Sequence, residues 1–399
     1  MRLSESIIKA AILHPEEEVR LTATRYFSGS VSQDETIMPL VVQAVERHGR
    51  SSAFHILREA EHLPQSPATT DWLISELRRD YDLEDLGNDN YRFAVALILY
   101  HARPELLLTR QGEIASLPMF PAQMRTPLQE RIDMLSWGWD RGWAALEALG
   151  QDTMRRRGFM HNDVRYAYRI IESLARYREK AAAIHGLLQR QYGGRNEALM
   201  RWLEPLIVSL AGAMQLESAV PLLIERLDDQ NVSVADESIT ALIRIDTDVG
   251  VEAIADQWSN TDTGFRAAAS DVLENIHTDL CAESCLRFFA AENDAIARMS
   301  LAHAVASQFI EEGVESVRQL VLGHDELKPN GLDDIRYRLV AACTIMGVFF
   351  PEYERWYEDA VANNWGLGEY TPPRLADSFR PDQPGPKGWW NGRRHRWLQ

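Results

Sequence analysis

An all-α chain, an α-solenoid of about ten stacked helix pairs, is the fold class that this sequence predicts, and three observations predict it. The first is a recurring arginine that opens an apolar helical stripe. Arg20 in "HPEEEVRLTATRYF", Arg92 in "NYRFAVALILY", Arg165, Arg266, Arg298 and Arg336 all hold this slot, and Ala235 fills it in a degenerate copy. The second is the spacing: successive slots lie 72, 73, 70, 31, 32 and 38 residues apart. The shorter intervals are single units, and the longer ones are two units of about 35 residues each. The third is the scarcity of strand signals, since no sustained run alternates in period two.

Each unit reads as two helices. The first carries the slot; in the opening unit Val19, Ala23, Tyr26 and Phe27 fall on one apolar face. The second is a short helix with proline in its first turn, as in "IMPLVVQAVERHG" at Pro39 and "AVPLLIERLDD" at Pro221. There a missing N–H costs little. Ser32 and Glu35 suggest a capping box before the former. The skipped slots near 55, 130 and 200 hold "SSAFHILREAEHL", "PLQERIDMLSWGW" and "EALMRWLEPLIVSLAGAM", each helical and half apolar. We therefore expect repeats over 1–103, an irregular Pro/Trp-rich segment over 104–160 and further repeats over 161–350. A terminal helix and a Pro/Trp/Arg-rich extension are expected over 351–399.

The stretch "AVPLLIERLDDQNVSVADESITALIRI" resembles HEAT repeats, most closely the short type named after the phycobilisome lyases. The likeness rests on the "VPLL" helix, the acidic turn at Asp228 and Asp229, and the second helix with Val234, Ser238, Ala241 and Leu242. It covers about four units well, around 219–301. It implies an armadillo-like superhelix that commonly serves as a binding scaffold, and it implies no reaction.

An arginine beside an apolar stripe buries its stem and needs acceptors for its guanidinium. In a stack, the turn of the neighbouring unit can supply them. Arg20, Arg92, Arg165, Arg266, Arg298 and Arg336 are thus read as structural clamps between repeats, with Asp163 and Asp334 among the acceptors.

Composition narrows the function. Hydrophobic residues make up 45% and charged residues 25% of 399, which suits a folded chain. No apolar run of membrane-spanning length occurs, and the N-terminus lacks a signal-peptide pattern. Three cysteines, Cys281, Cys285 and Cys343, suggest a reducing, cytoplasmic setting. No phosphate loop or nucleophile elbow is present, so neither enzyme chemistry nor a cofactor is expected. Two Glu-x-x-His pairs, Glu59/His62 and Glu274/His277, lie too far apart in the array to share a metal, and no metal site is expected.

The net charge of −17 is unevenly spread. Residues 217–300 hold 17 acidic and 5 basic side chains, net −12, while 151–201 hold 11 basic and 5 acidic, net +6. The basic segment is the sharpest binding candidate. Arg155, Arg156 and Arg157 lead into a helix on which Arg169 and Arg176 follow, near Tyr166 and Tyr177. Clustered arginines with aromatics suit an acidic partner protein, with phosphate backbone as the alternative. Trp137, Trp139 and Trp143 read as a core cluster. Trp389, Trp390 and Trp397 in the extension are costly to leave exposed and suggest docking, on this chain or another. The function expected is a non-catalytic scaffold for another protein.

Overall fold

The computed structural model describes residues 2–50, 53–323, 332–363 and 365, the side chains of 332–334 excepted. Among these, no strand occurs beyond one bridging pair, Arg2 with Ile310. A short α1 (Glu5–Ala11) precedes the pairing. Four pairs follow: α2 (Glu17–Gly29) with α3 (Ile37–His48), α4 (Phe54–Glu59) with α5 (Pro67–Glu76), α6 (Leu86–Tyr100) with α7 (Pro104–Ala115), and α8 (Ala122–Leu135) with α9 (Trp139–Arg156). Next come α10 (His161–Ala175) with α11 (Ala181–Leu188), a supernumerary α12 (Glu197–Trp202), and α13 (Glu204–Ala213) with α14 (Val220–Ile224). The series ends with α15 (Val232–Ile245) and α16 (Asp248–Gln257), α17 (Thr263–Asn275) and α18 (Asp279–Ala291), α19 (Ala295–Ser307) and α20 (Glu311–Gly323), and α21 (Leu332–Met346) and α22 (Tyr353–Ala362). In chain order, the described residues thus hold ten pairs.

The helices form for local reasons. In α2 the stripe Val19, Ala23, Tyr26 and Phe27 is buried. Ser66, Asp85, Asn196, Asn231, Asp262 and Thr278 cap helix N-termini by accepting backbone N–H bonds. The capping box at Ser32 and Glu35 does not form. Asp34 Oδ1 instead accepts the N–H of Thr36, a local turn that delays α3 to Ile37, and Glu35 pairs with Arg103.

First helices stack on first helices and second on second. α2 packs on α4 and α4 on α6, while α3 packs on α5 and α5 on α7. Farther on, α10, α13, α15 and α17 form one such row, and α14, α16 and α18 another. The α13–α15 crossing is the tightest: a Cβ at Gly212 would fall 2.5 Å from the Cα of Ala241. Only glycine fits there.

Contacts divide the chain into two units, one of residues 2–132 with the described residues from 305 onward, the other of 133–304. The division does not follow the composition boundaries at 103/104, 160/161 and 350/351; the 104–160 segment is regular helix in α7, α8 and α9. In the first unit, partners in space are not always neighbours in sequence. α1 and α2 pack on α21, Leu3 N–H donates to the Phe309 carbonyl at 3.2 Å, and the Tyr26 and Phe309 rings meet edge to face at 5.5 Å. The opening helices thus cover part of the apolar face of α21. The extension expected to cap the last unit lies outside the described residues.

Candidate functional site

Side-chain contacts repeat with the period of the helix pairs. Arg131 donates to the carbonyls of Tyr100 and Ala102, 31 and 29 residues away. Ser173, Arg176 and Tyr177 donate to the carbonyls of Met134, Leu135 and Trp137, at separations of 39, 41 and 40. Arg178 reaches the Met214 carbonyl across 36, and Arg226 the Leu188 carbonyl across 38. The acceptors share one feature: they lie in the last turn of a helix or one or two residues past its end, where carbonyls lack their full set of intrahelical partners and the helix dipole is negative. A cation from the adjacent pair satisfies both needs.

The six slot arginines solve the same problem in different ways. Arg92 donates to the Met119 carbonyl at 3.2 Å, in the turn that opens the next pair, and meets Asp89 at 2.5 Å. Arg266 lies 3.5 Å from the buried Glu292, in the turn before α19. Arg298 sets its guanidinium over the Phe289 ring of the preceding pair, at 5.4 Å. Arg20 departs from the expected neighbour contact: it donates to His14 and Pro15 carbonyls of its own entry turn, at 2.8 and 2.7 Å. That turn folds back over the helix start and brings its two carbonyls within reach of the guanidinium. Arg336 likewise pairs within its own pair, with Asp359 at 2.5 Å. Arg165 is half-buried on α10. Asp163 is engaged elsewhere, by Arg156 at 3.0 Å and the Met160 N–H at 2.7 Å. The side chain of Asp334 lies outside the described residues.

Most of the basic segment is spent inside the chain. Arg156 pairs with Asp152 and Asp163 at 2.9 and 3.0 Å, and Arg176 is tied to Leu135. Arg169 lies over the Tyr166 ring at 5.8 Å. Arg190 and Arg201 face Glu204 and Glu197. Arg155 and Arg157 differ. Both are exposed, and neither has a carboxylate partner among the described residues. Arg155 donates only to the Gln151 carbonyl of its own helix, at 3.2 Å. Arg157 ends α9 in the left-handed conformation, with φ +59°. That turns the chain sharply, and Met160, three residues on, is 62% exposed. Phe159 stacks on Trp202 at 5.7 Å and anchors the turn, and the Trp202 indole N–H donates to Thr153 at 2.8 Å.

At the other end of α9 the tryptophans are only partly core. Trp143 is buried and stacks on Trp139 at 5.7 Å. Trp137 and Trp139 are half-buried and carry cations on their faces, Arg141 at 4.4 Å and Lys180 at 6.0 Å. Trp389, Trp390 and Trp397 lie outside the described residues.

Two buried carboxylates hold opposite charge preferences. Burial would raise Glu76, but hydrogen bonds from Arg50, Tyr91 and Tyr81 hold its carboxyl below the usual range. Glu237 is pushed up by burial, against a hydroxyl bond from Tyr168. Cys281, Cys285 and Cys343 are free and buried, and burial pushes the Cys343 thiol up to about 12, which keeps it protonated and unreactive. The Glu59/His62 pair does not come together: Glu59 turns to Arg25 at 2.9 Å. His62 instead lies near Glu61 and His101.

Comparisons with known proteins add little to this geometry. No family model matches the chain, and no curated protein does. Among solved structures it is similar to the crystal structure of an engineered protein, at 12% identity and a TM-score of 0.29, over 87% of this chain and 100% of the other. A likeness so slight carries no argument. No described helix is long and apolar enough to cross a membrane.

Proposed function

We propose that this chain is a HEAT-like scaffold without catalytic function that binds another protein through the turn after α9. One observation carries the reading: in a segment whose arginines are otherwise engaged, Arg155 and Arg157 are exposed without a carboxylate partner among the described residues, beside an exposed Met160. Two guanidinium groups present planar forks that match carboxylates, and the thioether adds an adaptable apolar contact. The partner this suits is an acidic segment bearing an apolar residue. Three buried, free cysteines accord with a reducing, cytoplasmic setting.

Affinity capture from native lysate, with and without nuclease, tests the reading. A protein retained after nuclease, and lost when Arg155, Arg156 and Arg157 are reversed to glutamate, supports it. Retention that disappears with nuclease, or that falls steeply between low and moderate salt, would favour phosphate-backbone binding instead.

A further inference from the structure

We propose that Glu61, His62 and His101 form a binding site for one divalent transition-metal ion of the zinc class. The three residues come from two successive pairs. Glu61 and His62 follow the end of α4, and His101 ends α6, on which α4 packs. Their ligand atoms all lie within 4.8 Å of one another. Nε2 of His101 is 3.2 Å from Glu61 Oε1, and Nε2 of His62 is 3.8 Å from the same oxygen. Ligands bound at about 2.0–2.1 Å in a tetrahedron lie roughly 3.3–3.4 Å apart, so these separations bracket the distance required. The imidazole rings meet edge to face at 4.2 Å, which brings both nitrogen donors to one side of the carboxylate.

The surroundings fit a cation and narrow its class. Two helices end here, and helix C-termini carry negative partial charge. Arg58 donates to the other oxygen, Glu61 Oε2, at 2.5 Å. It leaves Oε1 to the two histidines and fixes the carboxylate plane, as outer partners of metal ligands do. Its positive charge opposes a weakly held ion, so the site needs donors with strong affinity. Two imidazoles and one carboxylate supply these for zinc and its neighbours, whereas calcium and magnesium demand oxygen ligands. The His62 side chain is 65% exposed, and the Glu61 side chain 16%. The cluster thus opens to solvent on one side, leaving a fourth position for water.

Calorimetric titration of the metal-free full chain with Zn2+ tests the site, with visible absorption of bound Co2+ reporting coordination. We expect one equivalent to bind, with a Co2+ spectrum of low coordination number. His62→Ala and His101→Ala should each weaken that equivalent by about tenfold or more, the scale on which metal-site partners act. His62 is exposed, so His62→Ala should keep the wild-type circular dichroism and melting temperature, and it remains decisive even if His101→Ala unfolds. Undiminished Zn2+ affinity in the folded His62→Ala variant would overturn the proposal, as would the absence of a wild-type equivalent.

Discussion

The junction of α6 and α8 and the turn between α9 and α10 both rest on arginine, yet they use it in opposite ways. At the junction Arg131 is buried and donates to two helix-end carbonyls. At the turn Arg155 and Arg157 face solvent. The same side chain is structural in one place and available in the other, and the number of arginines in a segment does not tell which. What decides is whether a helix end from an adjacent pair lies within reach.

The largest expected effect lies on the structural side. Arg226 is buried with Glu204, at 3.0 Å, and also holds the Leu188 and Leu222 carbonyls at 2.6 and 2.7 Å. Arg226→Ala leaves the buried Glu204 carboxylate with the exposed Arg190, at 3.4 Å, as its remaining cation and strips two carbonyls, and we expect a loss of about 3–5 kcal/mol in denaturant unfolding. A loss under about 1 kcal/mol would erase the contrast between the two classes of arginine.

Next comes the junction itself. Arg131→Ala strips the carbonyls of Tyr100 and Ala102, and Arg92→Ala that of Met119, each at an expected cost of about 1–3 kcal/mol. An unchanged unfolding midpoint for Arg92→Ala would show that the slot does not clamp its neighbour.

A carboxylate sharpens the comparison, because at Glu237 burial outweighs the nearby Arg244 charge. The folded state raises Glu237 above its ordinary 4.5. It therefore holds a proton to higher pH than the unfolded chain does. Its stabilising share is complete below the unfolded pKa and is lost as pH rises through the folded one. Glu237→Gln keeps an acceptor for Tyr168 and removes the charge. We expect it to be more stable than wild type at pH 8, with a flatter slope of stability against pH. Equal slopes would mean that Glu237 keeps its ordinary pKa.

Much of the fold was legible in the sequence, because the same stripe and slot recur and each helix announces itself locally. The 31–38-residue intervals in the sequence match the 29–41-residue separations of the side-chain contacts. The acceptors were not legible. Arg131 falls at the skipped slot near 130 and Arg226 at none, and both bind backbone carbonyls, which leave no trace in side-chain identity. The covering of α21 by α1 and α2 was hidden for a related reason, since a repeat pattern specifies contacts between neighbours and is silent about its ends. The grouping of Glu61, His62 and His101 was not legible, because Glu59, not Glu61, shares the helical spacing with His62, while Glu61 is brought to His101 only by stacking. In the basic segment, Arg155 and Arg157 were legible as candidates. The engagement of Arg156 and Arg176 was not.

The smallest expected effect on stability carries the largest functional weight. Exposed charges and exposed ion pairs contribute little to folding, so reversing Arg155, Arg156 and Arg157 together to glutamate should shift unfolding less than the substitutions above, even though it breaks the pairs of Arg156 with Asp152 and Asp163. The decisive measurement sets capture of the nuclease-resistant partner by this triple variant beside capture by the wild type, on samples of equal melting temperature. We expect capture to be abolished while the fold is kept. Undiminished capture by the folded variant would contradict the account, because the arginines left over at the end of α9 would then be only solvated surface.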